Sequence, residues 1–177
     1  KIINNVYVGI ITADETNLGI ASSIAAGESF ISTNDNPVKE VMENGAVYLV
    51  ELVSASDVSA TIKVTQSNGN SQTAEIVENA VKNVNGLGIG IINTNEGNTE
   101  ISAELFASLL TILNNDNPSV EKGIQNNLYK FELVSASDTS ATIKVTTISC
   151  NVQEGIDEDD DDDGDFDEDD DEETTDE

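Results

Sequence analysis

The sequence predicts an α+β fold: a tandem duplication of a β-α-β-β unit at an offset of 81 residues, with pseudo-twofold symmetry and a disordered acidic C-terminal tail. Three observations lead there. The segment ELVSASDVSATIKVT at 51–65 recurs as ELVSASDTSATIKVT at 132–146, with fourteen of fifteen residues identical. Over the 63 ungapped pairs from 5/86 to 67/148, 28 are identical, which only a duplication explains. Within each copy, apolar residues alternate with period two at both ends and fall at spacings of three and four between them. The chain therefore divides into a first unit, 1–67, a helical connector, 68–85, a second unit, 86–150, and an acidic tail, 151–177.

Each unit opens on a strand, at 6–12 and again at 87–93. Helix is expected next. In the second copy Ile101, Leu105, Leu109 and Leu110, with Phe106 and Leu113, fit a 3.6-residue period, and Ser102 can cap them. The equivalent stretch, 20–32, is richer in Ser and carries Gly27. The repeated Asn-Asp-Asn-Pro, at 34–37 and 115–118, makes a turn, and Pro37 suits the first position of a short helix over 37–43 that ends before Gly45.

The repeated segment itself reads as a hairpin. Tyr48, Val50 and Leu52 alternate with Val47, Leu49, Glu51 and Val53, as Ala60, Ile62 and Val64 do with Ser59, Thr61, Lys63 and Thr65, and a polar turn centred on Asp57 joins them. That centre pairs Leu52 with Ile62 and Val50 with Val64 on a buried side. It sets Glu51 against Lys63 on the other side, an ion pair that Glu132 and Lys144 repeat. In the connector, Ser71 can cap a helix whose stripe is Ile76, Val77, Ala80, Val81 and Val84. A unit of this size makes a marginal core alone, so the two copies are expected to bury their apolar faces jointly.

Composition removes whole classes of chemistry. There are 7 Lys and no Arg against 35 acidic residues, so the formal charge is 7 − 35 = −28. The tail from 157 holds 17 of the acids, and the rest of the chain, with 18 acids and 7 Lys, still carries −11. Nucleic acid and anionic membrane surfaces are thus disfavoured as partners, and a cationic protein surface is favoured for the tail. Without His, neither a Ser-His-Asp nor a Cys-His nucleophile system can be assembled. No apolar run reaches the length of a membrane-spanning helix. Cys150 is the single cysteine and reads as an apolar residue at a strand end.

Three features invite a functional reading. In the tail, Asp159, Asp161, Asp163, Asp165 and Asp170 match an EF-hand-like calcium loop, with Gly164 at the sharp turn and Phe166 at the apolar eighth place. A tract this rich in Asp produces that spacing by default and no helices flank it, so the tail is expected to be a solvated polyanion and no cofactor is assigned. Gly86, Gly88 and Gly90 lack dinucleotide-loop spacing and fall within a strand, which points to close packing or a bulge. The repeated carboxylates Asp35/Asp116, Asp57/Asp138 and Glu51/Glu132 could in principle work in pairs, yet turns, helix starts and lysine partners account for each.

The expectation is a non-enzymatic structural or assembly protein, with the virion as its place: an accessory, decoration or connector component of a phage-like particle, whose partners are other copies or other subunits. The alternatives are a secreted surface or filament subunit, and an acidic decoy or chaperone of a basic partner.

Overall fold

The computed structural model describes residues 1–3, 6–16 and 18–148. The calcium candidates Asp159, Asp161, Asp163, Asp165 and Asp170, and Cys150, lie outside them. The fold is all-β: among the described residues none is helical and 75% lie in strands. The first copy supplies β1 (Ile2–Ile3), β2 (Val6–Thr16), β3 (Gly19–Gly27), β4 (Ser29–Thr33), β5 (Val38–Glu43), β6 (Ala46–Ala55) and β7 (Ser59–Gln66). The connector supplies β8 (Ser71–Val77) and β9 (Val81–Val84). The second copy supplies β10 (Leu87–Glu96), β11 (Ile101–Leu109), β12 (Thr111–Asn114), β13 (Ser119–Ile124), β14 (Asn127–Ala136) and β15 (Ala141–Ile148). Adding 81 to the bounds of β2 through β7 lands on β10 through β15 within two residues.

This corrects the α+β expectation and its β-α-β-β unit. The helices expected over 20–32, 37–43, 101–113 and the connector are strands β3–β4, β5, β11–β12 and β8–β9. The reason is visible in β11. Ile101, Leu105 and Leu109 are four apart, and positions four apart share a face in a strand as well as in a helix. Ala103 and Ala107 complete the alternation, and both are buried. The opposite face is Ser102, Glu104, Phe106 and Ser108, and its one apolar member, Phe106 beside Leu105, adds the helix-like spacing that blurs the two periods. The 37–43 helix failed on its stop signal. Asn44-Gly45 is a two-residue hairpin turn with φ of 50° and 77°, not a helix cap, and it joins β5 to β6. Asn85-Gly86 does the same between β9 and β10, with φ of 52° and 91°.

The hairpin register is the one the sequence predicts. Val50 faces Val64, Glu51 faces Lys63 and Leu52 faces Ile62. Beyond Leu52 a β-bulge shifts the pairing by one residue, and the second copy bulges at the same place, between Leu133 and Ser135.

Four sheets result. Sheet A has the order β1-β2-β3-β12, sheet B β4-β11-β10-β9, sheet C β5-β6-β7-β8 and sheet D, among the described residues, β13-β14-β15. Each copy therefore lends one strand to the other: β4 pairs with β11, and β12 pairs with β3. Sheet C packs on sheet B through Val50, Leu52, Ile62, Val64 and Ile76 against Leu87, Ile89, Ile91 and Leu105. We call this sandwich I. Sheet D packs on sheet A through Tyr129, Phe131 and Leu133 against Val6, Val8, Ile24 and Ala26, which makes sandwich II. Burying each large aliphatic side chain in these cores contributes about 1.5–3 kcal/mol.

Sandwich I thus consists of one continuous stretch, 29–109, which is one repeat length, while sandwich II is built from 1–27 and 111–148. Every sandwich mixes both copies. The structural boundary is displaced from the sequence repeat because a single residue, Glu28 or Leu110, carries the chain from one sheet to the next.

Candidate interaction surfaces

Sheets A and B touch each other through the faces turned away from their cores. The contact is made close by small residues. A Cβ added to Gly88 would overlap the Ala25 Cβ, and one added to Gly9 would overlap Val81. Gly90 is likewise filled over by the Phe106 ring. Gly88 and Gly90 therefore serve close packing between strands, while Gly86, expected within the strand, lies in the turn before it. At the other end of this contact Tyr7 stacks on Phe106 with ring centroids 6.0 Å apart. The Tyr7 hydroxyl donates to Glu104 Oε1 at 3.3 Å, and Ser29 Oγ donates to the same oxygen at 3.0 Å. Beside this pair lies a shallow cleft of about 210 Å³, lined by Tyr7, Val81, Ile91, Ile92 and Phe106. Its walls are mainly hydrocarbon.

A second junction holds a shielded ion pair. Lys122 of β13 reaches Glu43 Oε1 of β5 at 3.0 Å and Ser108 Oγ of β11 at 2.6 Å. Both charged side chains are about four-fifths buried. Such a pair positions elements more than it stabilises them, because desolvation offsets most of its attraction. Here it fastens β13, part of sandwich II, to sandwich I. Its partners have no charged counterparts across the repeat: Val41 stands at the place of Lys122, and Ile124 at that of Glu43.

The repeated carboxylates are not gathered into one site. Asp57 lies in the β6–β7 turn of sandwich I, where its carboxylate accepts from the Glu96 N–H at 3.3 Å. Asp138 lies in the matching turn of sandwich II, which Ser137 and Ser140 close with a backbone hydrogen bond of 2.7 Å. Asp35 and Asp116 sit in the exposed β4–β5 and β12–β13 turns. In the latter turn, Asn114 Oδ1 accepts from the Asp116 and Asn117 N–H groups. Glu51 pairs with Lys63 at 3.0 Å, and Glu132 pairs with Lys130 at 3.0 Å and Lys144 at 3.3 Å. Hydrogen bonding from Lys130, then from Lys144, holds the Glu132 carboxyl below the ordinary glutamate range. Among the described residues no three acidic or sulfur side chains converge on a point that could hold a metal ion.

What sequence reasoning missed is an exposed apolar face. On sheet C, side chains of Val38, Met42, Val47 and Leu49 share the side away from the core, by strand alternation and the pairing of Met42 with Val47. Val38, Met42 and Leu49 are exposed. The same positions on sheet D are Ser119, Gly123, Leu128 and Lys130. Two further apolar residues, Ile31 on β4 and Ile112 on β12, are 70% and 67% exposed at equivalent places on the edge strands of sheets B and A. The signal was present as Val47 and Leu49 flanking Tyr48, but helix at 37–43 hid its partner strand. No family model, curated protein or solved structure matches this chain.

Proposed function

We propose that the chain is a non-enzymatic structural subunit that docks into a larger protein assembly, with the virion as its setting and an accessory, decoration or connector role in the particle. The observation that carries this is the outer face of sheet C, where Val38, Met42 and Leu49 stand in water while their counterparts on sheet D are Ser119, Gly123 and Lys130. An exposed apolar patch rimmed by charge suits burial against another protein. Glu51 and Lys63 border the patch, and Glu40 lies within it, opposite Leu49. Edge strands β4 and β12, each with an outward isoleucine, add two equivalent points of attachment.

The test is density-gradient sedimentation of particles from cells that express the tagged full chain. The full chain is expected to travel with the particles, and a chain carrying Met42→Glu and Leu49→Lys is expected to stay at the top with an unchanged melting temperature. Full chain found only as free protein would overturn the reading. A secreted surface or filament subunit is the second reading, and one observation favours it: sandwich II is built from two separate stretches, 1–27 and 111–148.

A further inference from the structure

The two sandwiches are closed in different ways. In sandwich I the sheets are tied covalently by the turn between β8 and β9. There Asn79 N–H donates to Ile91 O at 2.8 Å, and Glu78 accepts from the Thr94 N–H at 2.6 Å and from its hydroxyl at 3.0 Å. In sandwich II, residues 1–27 supply β1–β3, and residues 111–148 supply β12–β15. Among the described residues these two parts are linked covalently only through the whole of sandwich I.

We propose that residues 1–27 form an arm that a second copy of this chain can exchange, so that the arm of one chain completes sandwich II of the next. This deepens the assembly reading by naming a partner, and it rests on that reading.

The hinge is short. Glu28 alone separates β3 from β4, although the two belong to different sheets, and short redirecting links invite exchange. The arm is also a complete unit of contact. It brings Val6, Val8, Ile24 and Ala26 to the core. It pairs β3 with β12 from Ile24↔Thr111 to Ala21↔Asn114, and its Ile20 N–H donates to Asn115 Oδ1 at 3.0 Å. All of these contacts re-form between chains, and only the path through Glu28 changes. The balance between closed and exchanged states is then set by concentration rather than by contact energy.

The acceptor stays in place. Lys122 fastens β13 to Glu43 and Ser108 of its own sandwich I, and the arm's own contacts with sandwich I, Tyr7 on Phe106 and Ala25 against Gly88, re-form on the partner with the rest of its contacts. Each chain carries one arm and one acceptor, a head-to-tail arrangement that extends unless a ring closes it.

The experiment uses the full chain with Cys150→Ser, Ser23→Cys and Ile112→Cys, because Ser23 faces Ile112 across β3 and β12. Refolded dilute and oxidised, it is expected to give a disulfide within one chain. Refolded concentrated, it is expected to give a ladder of dimers and higher species on non-reducing gels. A tenfold rise in chain concentration raises the dimer-to-monomer ratio about tenfold, as mass action requires for a bimolecular exchange. Chains carrying Ser23→Cys alone, co-refolded with chains carrying Ile112→Cys alone, are expected to form cross-linked heterodimers. A Gly-Ser insertion after Glu28 is expected to lower the ladder, since a longer hinge relieves the link. Disulfides confined to single chains at every concentration, with no heterodimer, would overturn the exchange. If the unmodified chain nonetheless enters particles, the assembly reading stands and only the arm fails.

Discussion

Gly88 and Tyr7 occupy the same position in the two copies, and so do Ala25 and Phe106. At the contact between sheets A and B the large residues meet each other, as do the small ones: Tyr7 stacks on Phe106, and Gly88 lies against Ala25. The duplicates have diverged into a fitted pair, so a side chain added on the small side has nowhere to go. Gly88→Ala is expected to destabilise by about 1–3 kcal/mol, because its Cβ would overlap Ala25. Gly123→Ala, where a Cβ meets nothing within 4 Å, is expected to stay within about 0.5 kcal/mol. Urea unfolding of both variants gives the comparison.

Glu132 supplies a pH test at the same scale. Its folded carboxyl is held below the ordinary value by Lys130 and Lys144, so its stabilising effect is present above the unfolded glutamate pKa and is lost as pH falls through the folded one. Glu132→Gln should therefore lower the urea midpoint slightly at neutral pH. The gap to the parent should narrow as pH falls below the ordinary glutamate pKa of about 4.3. A gap that persists in acid would show that the effect is not ionic.

At the level of elements, β7 and β15 share the run Ala-Thr-Ile-Lys-Val-Thr, yet their surroundings differ. Ile62 is fully buried between β6, β8 and sheet B, whereas Ile143 is half-buried at the margin of the second core. Ile62→Ala is expected to cost about 3–4 kcal/mol and Ile143→Ala about 1–2 kcal/mol, on thermal or chemical unfolding. Equal losses would mean that local sequence, and not the covering sheet, sets the energetics. The hairpin was legible because its register is fixed locally, by alternation and by the Glu51–Lys63 pair. The strands read as helix were not, because apolar residues four apart, as Ile101, Leu105 and Leu109 are, share a face in either element, and Phe106 interrupts the otherwise polar face of Ser102, Glu104 and Ser108.

For the whole molecule, charge opposes self-association. A chain of −28 meets its own kind only when that repulsion is screened, and the Debye length falls to about 10 Å at 0.1 M salt. Multi-angle light scattering of concentrated, refolded full chain is therefore expected to show the oligomer fraction rising with sodium chloride between about 0.01 and 0.5 M. A fraction that falls with salt would instead mark an interaction between opposite charges. The exposed face of sheet C and the arm belong to this scale as well. Neither could be read from the sequence, since the first needs β5 beside β6 and the second needs β3 to leave sheet A for β4 in sheet B.

The sequence alone determined the duplication, the hairpin with its register and ion pairs, the turn role of Asp57 and Asp138, and the lack of histidine-based chemistry. These follow from composition and from interactions within a few residues. The tertiary structure decided that the remaining segments are strands, that each copy lends a strand to the other, and that the sandwich boundary falls at Glu28 and Leu110. Apolar residues four apart satisfy helix and strand alike, so only the partner they are buried against can choose between the two.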